Sequence, residues 1–115
     1  MSPDRTSLAA ATRAAGVFSA LADPNRRLII ERLAAQGPAT ATELAATIGV
    51  SRQGAAKHLA GLAEAGIVAS AREGREVRYE LVEQGLEPGT DWLQRVGGQW
   101  DQRLASLKRH LDLDD

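Results

Sequence analysis

The hydrophobic and polar positions follow two different periods, and the change of period divides the chain into elements. Up to about residue 66, apolar residues recur every three or four positions, which predicts amphipathic helices. From residue 67 to residue 82, apolar and polar residues alternate, which predicts a two-stranded hairpin. The helical period returns at residue 91 and continues to residue 111. The chain is therefore expected to be a mostly helical α+β domain, with about five helices and one hairpin.

Two helices are predicted before residue 40. Asp23 is placed to cap the second helix, and Pro24 suits its first position, where no amide hydrogen is needed. Gly37 and Pro38 are expected to end this helix, with Ala39 as a short extended link. The first helix is predicted over residues 8–22, with an apolar stripe of Leu8, Ala11, Ala15, Phe18 and Ala22. In the second helix, the residues expected to face inward are Leu28, Ile29 and Leu33, with Ile30 beside them.

Residues 40–66 predict two short helices joined by a tight turn. Thr40 and Glu43 have the three-residue spacing of a capping box, and Gly49 suits a left-handed helix end. Ser51 is a good N-cap for a second helix that runs to about Ala65. The residues expected on its buried face are Ala55, Leu59 and Leu62. This order of helix, turn and helix is the helix-turn-helix signature, in which the second helix enters the major groove of DNA.

The opposite face of this second helix carries side chains suited to DNA. Arg52 and Lys57 can bind guanine acceptors or phosphates, and Gln53 can pair with adenine. Ala56 can touch a thymine methyl group, and Gly54 would let the backbone approach the groove. The alternative is that these are ordinary solvated positions. His58, which follows Lys57, has two open interpretations: it contacts a phosphate or base, or it packs against the hairpin.

The hairpin over residues 67–82 is expected to turn at Glu73-Gly74-Arg75. Val77, Tyr79 and Leu81 alternate with polar residues, which predicts one buried face and one solvated face. We expect a wing whose arginines grip phosphates or the minor groove. The alternative is a charged, solvated hairpin that only resists edge pairing. With the helix-turn-helix, the predicted DNA-binding residues are Ser51, Arg52, Gln53, Ala56, Lys57, His58, Arg72, Arg75 and Arg78.

The last helix, predicted over residues 91–111 after a linker at residues 83–89, has a long apolar stripe. A small domain is not expected to cover this stripe, and Gly97 and Gly98 suggest close packing of another helix. The first and last helices are therefore expected to form a homodimer interface. The alternative is that the last helix folds back on its own domain. The predicted interface residues are Leu8, Ala11, Ala15, Phe18, Leu93, Val96, Gly97, Trp100, Leu104 and Leu107.

Composition limits the remaining possibilities. The 115 residues allow a single domain over residues 1–115, and the four aromatic residues leave an interior of small and aliphatic side chains. The absence of cysteine excludes disulfides and thiolate metal sites, and no apolar run is long enough to span a membrane. The net charge of −1 is concentrated at the end, since residues 83–115 carry four basic and seven acidic residues. A cytoplasmic protein without a signal peptide is expected.

These elements together resemble the ArsR-type winged helix-turn-helix repressors of bacteria. The similarity covers about residues 15–82 and rests on LADPNR at residues 21–26, Lys57-His58-Leu59 and Arg78-Tyr79. The resemblance implies a homodimer that sits on operator DNA and represses transcription. Metal-sensing members of this family carry a Cys-x-Cys motif in the first helix of the helix-turn-helix, or His and acidic ligands on the last helix.

This sequence departs from the metal-sensing pattern. Residues 42–46 read TELAA without a thiol, and the last helix offers only His110 near Asp112 and Asp114. We therefore expect no metal and no cofactor, as in the metal-independent members whose Trp-bearing last helix ends in LKRHL. The sequence favours a homodimeric repressor on an inverted-repeat operator. A winged-helix module that binds protein without DNA is the alternative, and an enzyme is not expected because no catalytic set is present.

Overall fold

The structure, a computed structural model, describes the backbone of residues 5–113 and the side chains of residues 7–111. Residues 1–4 and 114–115 of the predicted single domain lie outside the described residues. Five helices and a three-stranded sheet are present in the described part, which confirms the predicted fold class. The elements are α1 (Arg5–Leu21), α2 (Pro24–Gln36), β1 (Ala39–Thr40), α3 (Ala41–Ile48), α4 (Arg52–Glu64), β2 (Val68–Glu73), β3 (Glu76–Leu81) and α5 (Glu87–Leu113).

The core lies where α2, α3, α4 and the start of β2 meet. Its largest fully buried side chains are Ile29, Leu44, Leu59, Leu62 and Ile67. Fully burying an aliphatic side chain of this size contributes roughly 1.5–3 kcal/mol to stability. These five therefore hold the helix-turn-helix against α2, and they fix which face of α4 remains outside.

The second helix begins and ends where the sequence predicts, but one of its expected core residues is outside. The Asp23 carboxylate accepts a hydrogen bond from the Asn25 amide at 2.7 Å, and the Gly37 amide donates to the Leu33 carbonyl at 2.9 Å. Ile29 and Leu33 are buried as expected, whereas Leu28 is 45% exposed. The prediction for Leu28 was wrong. Leu28 is apolar and precedes the buried Ile29, but it lies outside the face of α2 that contacts the core.

The first helix packs against α5 through a different face from the predicted stripe. Ala14, Val17 and Ala20, spaced three residues apart, are buried. A Cβ added at Gly89 of α5 would lie only 2.9 Å from Val17 Cγ1, so the two helices approach closely there. The only half-buried member of the predicted stripe is Phe18, whose ring meets the Trp92 ring edge to face at 5.6 Å. The stripe residues Leu8, Ala11, Ala15 and Ala22 are exposed.

The hairpin belongs to a three-stranded antiparallel sheet in the order β1-β3-β2. The predicted extended link at Ala39 is the short strand β1, which pairs Ala39 with Tyr79 and Thr40 with Arg78. The hairpin turn is one residue shorter than predicted, because Glu73 still pairs with Glu76. Tyr79 and Leu81 pack against the core, but Val77 lies beyond it and is exposed.

The last helix begins earlier than predicted, at Glu87 rather than at residue 90 or 91. Pro88 falls in its first turn, where a proline is tolerated because the amides there have no partner within the helix. This helix has 27 residues and extends far beyond the core. The radius of gyration is 19.2 Å, against about 13 Å for a compact chain of this length. Within the described residues, no helix is long and apolar enough to cross a membrane.

Candidate DNA-binding surface

Three caps fix where α3 and α4 begin and end: Thr40 and Gly49 for α3, and Ser51 for the start of α4. The Glu43 amide donates to Thr40 Oγ1 at 3.1 Å, and the Thr40 amide donates back to Glu43 Oε1 at 3.4 Å, which completes the predicted capping box. Gly49 ends α3 at φ +73° in the left-handed region. Ser51 Oγ then accepts from the Gly54 amide at 3.0 Å and starts α4. The predicted helix-turn-helix geometry is present in the structure.

The polar face of α4 is exposed and has no partner among the residues that the structure describes. Ala55, Leu59 and Leu62 are buried, as predicted. Arg52, Gln53, Ala56 and Lys57 are exposed together with the cap residue Ser51. Among the described residues, none of the polar side chains of Arg52, Gln53 and Lys57 forms a hydrogen bond or ion pair. Their bonding capacity is therefore available to a ligand outside the chain.

Gly54 has a local structural reason that the sequence did not suggest. A Cβ at this position would lie 3.2 Å from Ser51 Oγ and 3.6 Å from Val50 Cβ. A larger residue would therefore crowd the hydroxyl that caps α4. A side chain at this position would require Ser51 Oγ to shift by a few tenths of an ångström, and close approach of this backbone to DNA stays a prediction.

His58 is placed differently from Arg52 and Lys57. Its ring is 19% exposed, and its Nδ1 lies 3.9 Å from Asp23 Oδ2 at the start of α2. The ring thus faces the α2 cap, but this separation is too long for a hydrogen bond, and Nδ1 is buried without a hydrogen-bond partner among the described residues. Contact of His58 with DNA stays a prediction.

The wing, formed by β2, the Gly74-Arg75 turn and β3, carries two free arginines. Gly74 takes φ +63°, which allows the tight turn. Arg72 and Arg75 are exposed, and neither forms an ion pair with another described residue. Both are therefore available for a phosphate, as predicted for a DNA-binding wing.

Arg78 is not free, in contrast to the other two arginines of the wing. Its guanidinium lies 3.1 Å from Glu76 Oε2, 3.3 Å from Glu73 Oε2 and 3.8 Å from Glu43 Oε1. The side chain is only one-third exposed. We call Arg78 with these three glutamates the Arg78 cluster. The donors of Arg78 therefore already face carboxylates in the free chain, and contact of Arg78 with DNA stays a prediction.

Glu43 connects the Arg78 cluster to α3 and α2. The Thr40 hydroxyl and the Thr40 amide bind its carboxylate, and the charges of Arg78 and Arg32 lie nearby. The hydrogen bonds from Thr40 are the main cause that holds the pKa of Glu43 below its ordinary value; desolvation opposes them, and the charges of Arg78 and Arg32 add smaller lowering effects. Glu43 is therefore ionised at neutral pH.

A cleft of about 550 Å³ separates the wing from the helix-turn-helix. Arg52 of α4 and Arg75 of the wing both line it, together with Thr42 and Tyr79. Two carboxylates, Glu43 and Glu76, also border the cleft, and both belong to the Arg78 cluster. The cleft therefore presents two unpaired cations, while each of its anions has a cationic partner.

The second exposed surface is apolar and lies on α5. The large residues Leu93, Val96, Trp100, Leu104, Leu107 and Leu111 are between 43% and 58% exposed. The described residues do not cover this stripe, so the alternative of a last helix that buries it against its own domain is wrong for a single chain. A Cβ at Gly97 or Gly98 would meet nothing within 4 Å. A contiguous row of six large apolar side chains is more exposed apolar surface than a monomeric protein ordinarily has.

Comparison with known proteins adds an independent observation. Residues 21–71 match the family model described as a helix-turn-helix domain. The chain is 42% identical to the HTH-type transcriptional regulator Rv2034 of Mycobacterium tuberculosis, over 83% of this chain and 85% of that protein. It is 31% identical to the transcriptional repressor SdpR of Bacillus subtilis, over 67% of this chain and 84% of the repressor.

A further relative matches over a shorter part. The HTH-type transcriptional regulator CmtR of Mycobacterium tuberculosis is 40% identical over 58% of this chain. That alignment covers just over half of CmtR, 56% of its length.

Solved structures agree with these matches. An ArsR-like transcriptional regulator from Rhodococcus sp. RHA1 superimposes with a TM-score of 0.73 at 40% identity, covering 85% of this chain and 92% of that one. The homodimeric winged helix-turn-helix DNA-binding domain Mb0332 of Mycobacterium bovis superimposes with a TM-score of 0.67 at 25% identity. That match covers 88% of this chain and 93% of the Mycobacterium bovis domain. The similarity therefore includes α1 and α5 as well as the helix-turn-helix.

Proposed function

Because this chain belongs to the ArsR family of winged helix-turn-helix transcriptional regulators, we propose that it is a homodimeric repressor that binds an inverted-repeat operator. The observation that carries the proposal is the unpaired polar face of α4 next to the free arginines of the wing. Arg52, Gln53 and Lys57 contact bases and phosphates in the major groove. Arg72 and Arg75 contact the backbone beside it. These cations have no partner within the described part of the chain, so binding DNA breaks no ion pair.

The apolar stripe of α5 supports the proposed homodimer. A second copy of the chain covers the stripe with its own, because a two-fold interface brings the same patch of both copies together. The exposed α1 residues Leu8, Ala11 and Ala15 border the same interface. Two copies then present two α4 helices about 34 Å apart, one turn of B-DNA, which requires an operator with matching symmetry.

We further propose repression without a bound metal, at work in the bacterial cytoplasm where the operator lies. The repressor SdpR is among the relatives, and occupancy of an operator is sufficient to block a promoter. The chain has no cysteine, and the described residues contain no group of three or more metal-ligating side chains. The proposal therefore involves no cofactor and no enzymatic step.

Selection of bound duplexes from a random pool tests this proposal directly. We expect the recovered sequences to share an inverted repeat whose half-sites are centred about one helical turn apart. Binding to the recovered duplex should weaken steeply with salt, because log K falls by about 0.9 per phosphate contact for each decade of salt. A protein-binding module would recover no common sequence and would show no salt-dependent affinity for duplexes, which would overturn the proposal.

A further inference from the structure

We propose that Arg78 is a positioning residue that holds the wing for DNA and does not itself bind a phosphate. This inference rests on the proposed function, since it concerns how the DNA-binding surface is kept in shape. The Arg78 cluster joins two elements, because Glu73 and Glu76 belong to the wing and Glu43 belongs to α3. Its guanidinium thus forms ion pairs with both the hairpin and the helix-turn-helix.

The register of the sheet explains why a cation is needed at this point. Glu73 and Glu76 are direct partners at the end of the hairpin, and like charges opposite each other destabilise a strand pair. Residues two apart on a strand share a face, so Arg78 lies on the same side of β3 as Glu76. Its Nε faces Glu73 and its Nη2 faces Glu76, so one side chain offsets the repulsion of both.

The third carboxylate fixes the wing relative to α4. Arg78 pairs across the sheet with Thr40, the residue whose hydroxyl and amide also bind Glu43. Glu43 is therefore held by the capping box on one side and faces Arg78 on the other. Because α3 and α4 share the core, this arrangement ties Arg75 on the wing to a fixed position across the cleft from Arg52.

The cluster also controls the charge of the cleft. Glu43 and Glu76 border the cleft that Arg52 and Arg75 line, and unpaired carboxylates there would repel a phosphate. Arg78 places a positive charge within 4 Å of both carboxylates. This explains how a wing with acidic residues at its tip can still bind the anionic backbone of DNA.

Three matched variants of the wing test the inference on the duplex recovered by selection. Arg75→Gln and Arg72→Gln remove free arginines, whereas Arg78→Gln removes the centre of the cluster. We expect Arg75→Gln to reduce the slope of log K against log salt by about 0.9, the effect of one lost phosphate contact. Arg78→Gln should lower affinity roughly twofold to tenfold, as expected for a small network of half-exposed ion pairs. Its salt slope should stay at the wild-type value.

The slope separates the inference from a direct contact. A reduction of the slope by Arg78→Gln equal to that of Arg75→Gln would overturn the inference, since it would make Arg78 a phosphate ligand. Thermal unfolding and light scattering verify that each variant is folded and has the wild-type assembly state. If Arg78→Gln fails to fold, Arg78→Lys, which keeps the charge but loses the branched donors, is measured in the same way. Failure of Arg75→Gln and of an Arg52 variant to affect binding would instead refute the proposed DNA-binding surface, whereas failure to select any common duplex would refute the proposed function.

Glu43→Gln provides a second test, because glutamine at this position preserves the capping box while removing the charge. In the wild-type background we expect it to lower affinity, since Arg78 loses its tie to α3. In the Arg78→Gln background Glu43 keeps only Arg32 as a cationic neighbour, at 3.8 Å, so more of its negative charge acts on the cleft and the same change should raise affinity. An equal loss in both backgrounds would show that the two residues act independently and would overturn the inference.

Discussion

Arg52 and Gln53 occupy the first turn of α4, where side chains reach base edges before the helix leaves the groove. Both side chains are exposed and unpaired among the described residues, so removing either one should weaken DNA binding and leave the stability of the fold unchanged. We expect Arg52→Ala or Gln53→Ala to cost roughly 1–3 kcal/mol of binding free energy and to relax the sequence preference. Titration against the selected duplex and its single-base variants measures both effects.

Matched controls for these variants lie on α5. Arg109→Ala and Gln102→Ala remove the same side-chain types from exposed positions of the last helix, on the side away from its apolar stripe. Their affinity and sequence preference should equal those of the wild type. If the α4 variants behave like these controls, α4 does not read the operator.

Glu43 makes stability depend on pH at the acidic end. Its pKa is lowered mainly by the hydrogen bonds from Thr40 and then by the charges of Arg78 and Arg32. A carboxyl group whose folded pKa lies below its unfolded pKa stabilises the protein above the unfolded pKa, and this contribution is lost as the pH falls through the folded pKa. Wild type should therefore be more stable than Glu43→Gln at neutral pH, with the difference vanishing in acid. Urea unfolding of both proteins along a pH series measures it, and a constant difference would contradict the assignment.

At the scale of the element, α5 contains a matched pair of glycines. Gly97 lies on the side of Trp100 and Leu104, and Gly98 lies nearly opposite, since successive residues are rotated by about 100° in a helix. Neither has a neighbour that a Cβ would meet in the single chain. Alanine at Gly98 should stabilise the protein by about 1 kcal/mol, because glycine is unfavourable inside a helix.

Gly97→Ala should behave differently if a partner helix packs there. The new methyl group would separate the two helices, so we expect no such gain and a weaker dimer. Sedimentation equilibrium of the two variants measures the dimer, and chemical unfolding measures the stability. Equal stabilisation by both alanines, with unchanged dimerisation, would place the interface away from Gly97.

Local signals in the sequence predicted the elements well where neighbouring residues decide the structure. The caps at Thr40 and Ser51 depend on atoms three residues away, so their spacing was sufficient to predict them. Strand β1 was only an extended link in the prediction, because two residues have no period. Its pairing with β3 depends on a residue some forty positions later.

The candidate site shows the same division between local and distant information. The exposure of Arg52, Gln53 and Lys57 follows from helical spacing, since Ala55, Leu59 and Leu62 define the opposite face. The neighbours of His58 and Arg78 include Asp23 and Glu43, which lie far away in sequence. The sequence showed an arginine among acidic residues, but only the fold shows that its guanidinium lies within 4 Å of three glutamate carboxylates.

At the scale of the whole molecule, the extended shape follows from an apolar helix that one chain leaves uncovered. The molecule measures 68 × 33 × 20 Å along its principal axes, although its core involves only the middle of the chain. Water around exposed Leu and Trp side chains is unfavourable, so a second copy gains stability by covering them. In the proposed dimer the same pairing places two α4 helices on one duplex, which would couple assembly to operator binding.

A single charged substitution on α5 should therefore disrupt the dimer while leaving the DNA-contacting surface of each copy intact. We expect Leu104→Asp to give monomers by light scattering, because a carboxylate in an apolar interface loses its hydration without gaining a partner. Gln102→Asp is the matched control, since Gln102 is exposed on nearly the opposite side of α5 and should leave the dimer intact. The Leu104→Asp monomer keeps α4 and the wing, so it should still bind a half-site weakly but lose the dependence of affinity on half-site spacing. A Leu104→Asp protein that remains dimeric, with the spacing dependence of the wild type, would move the interface to another surface.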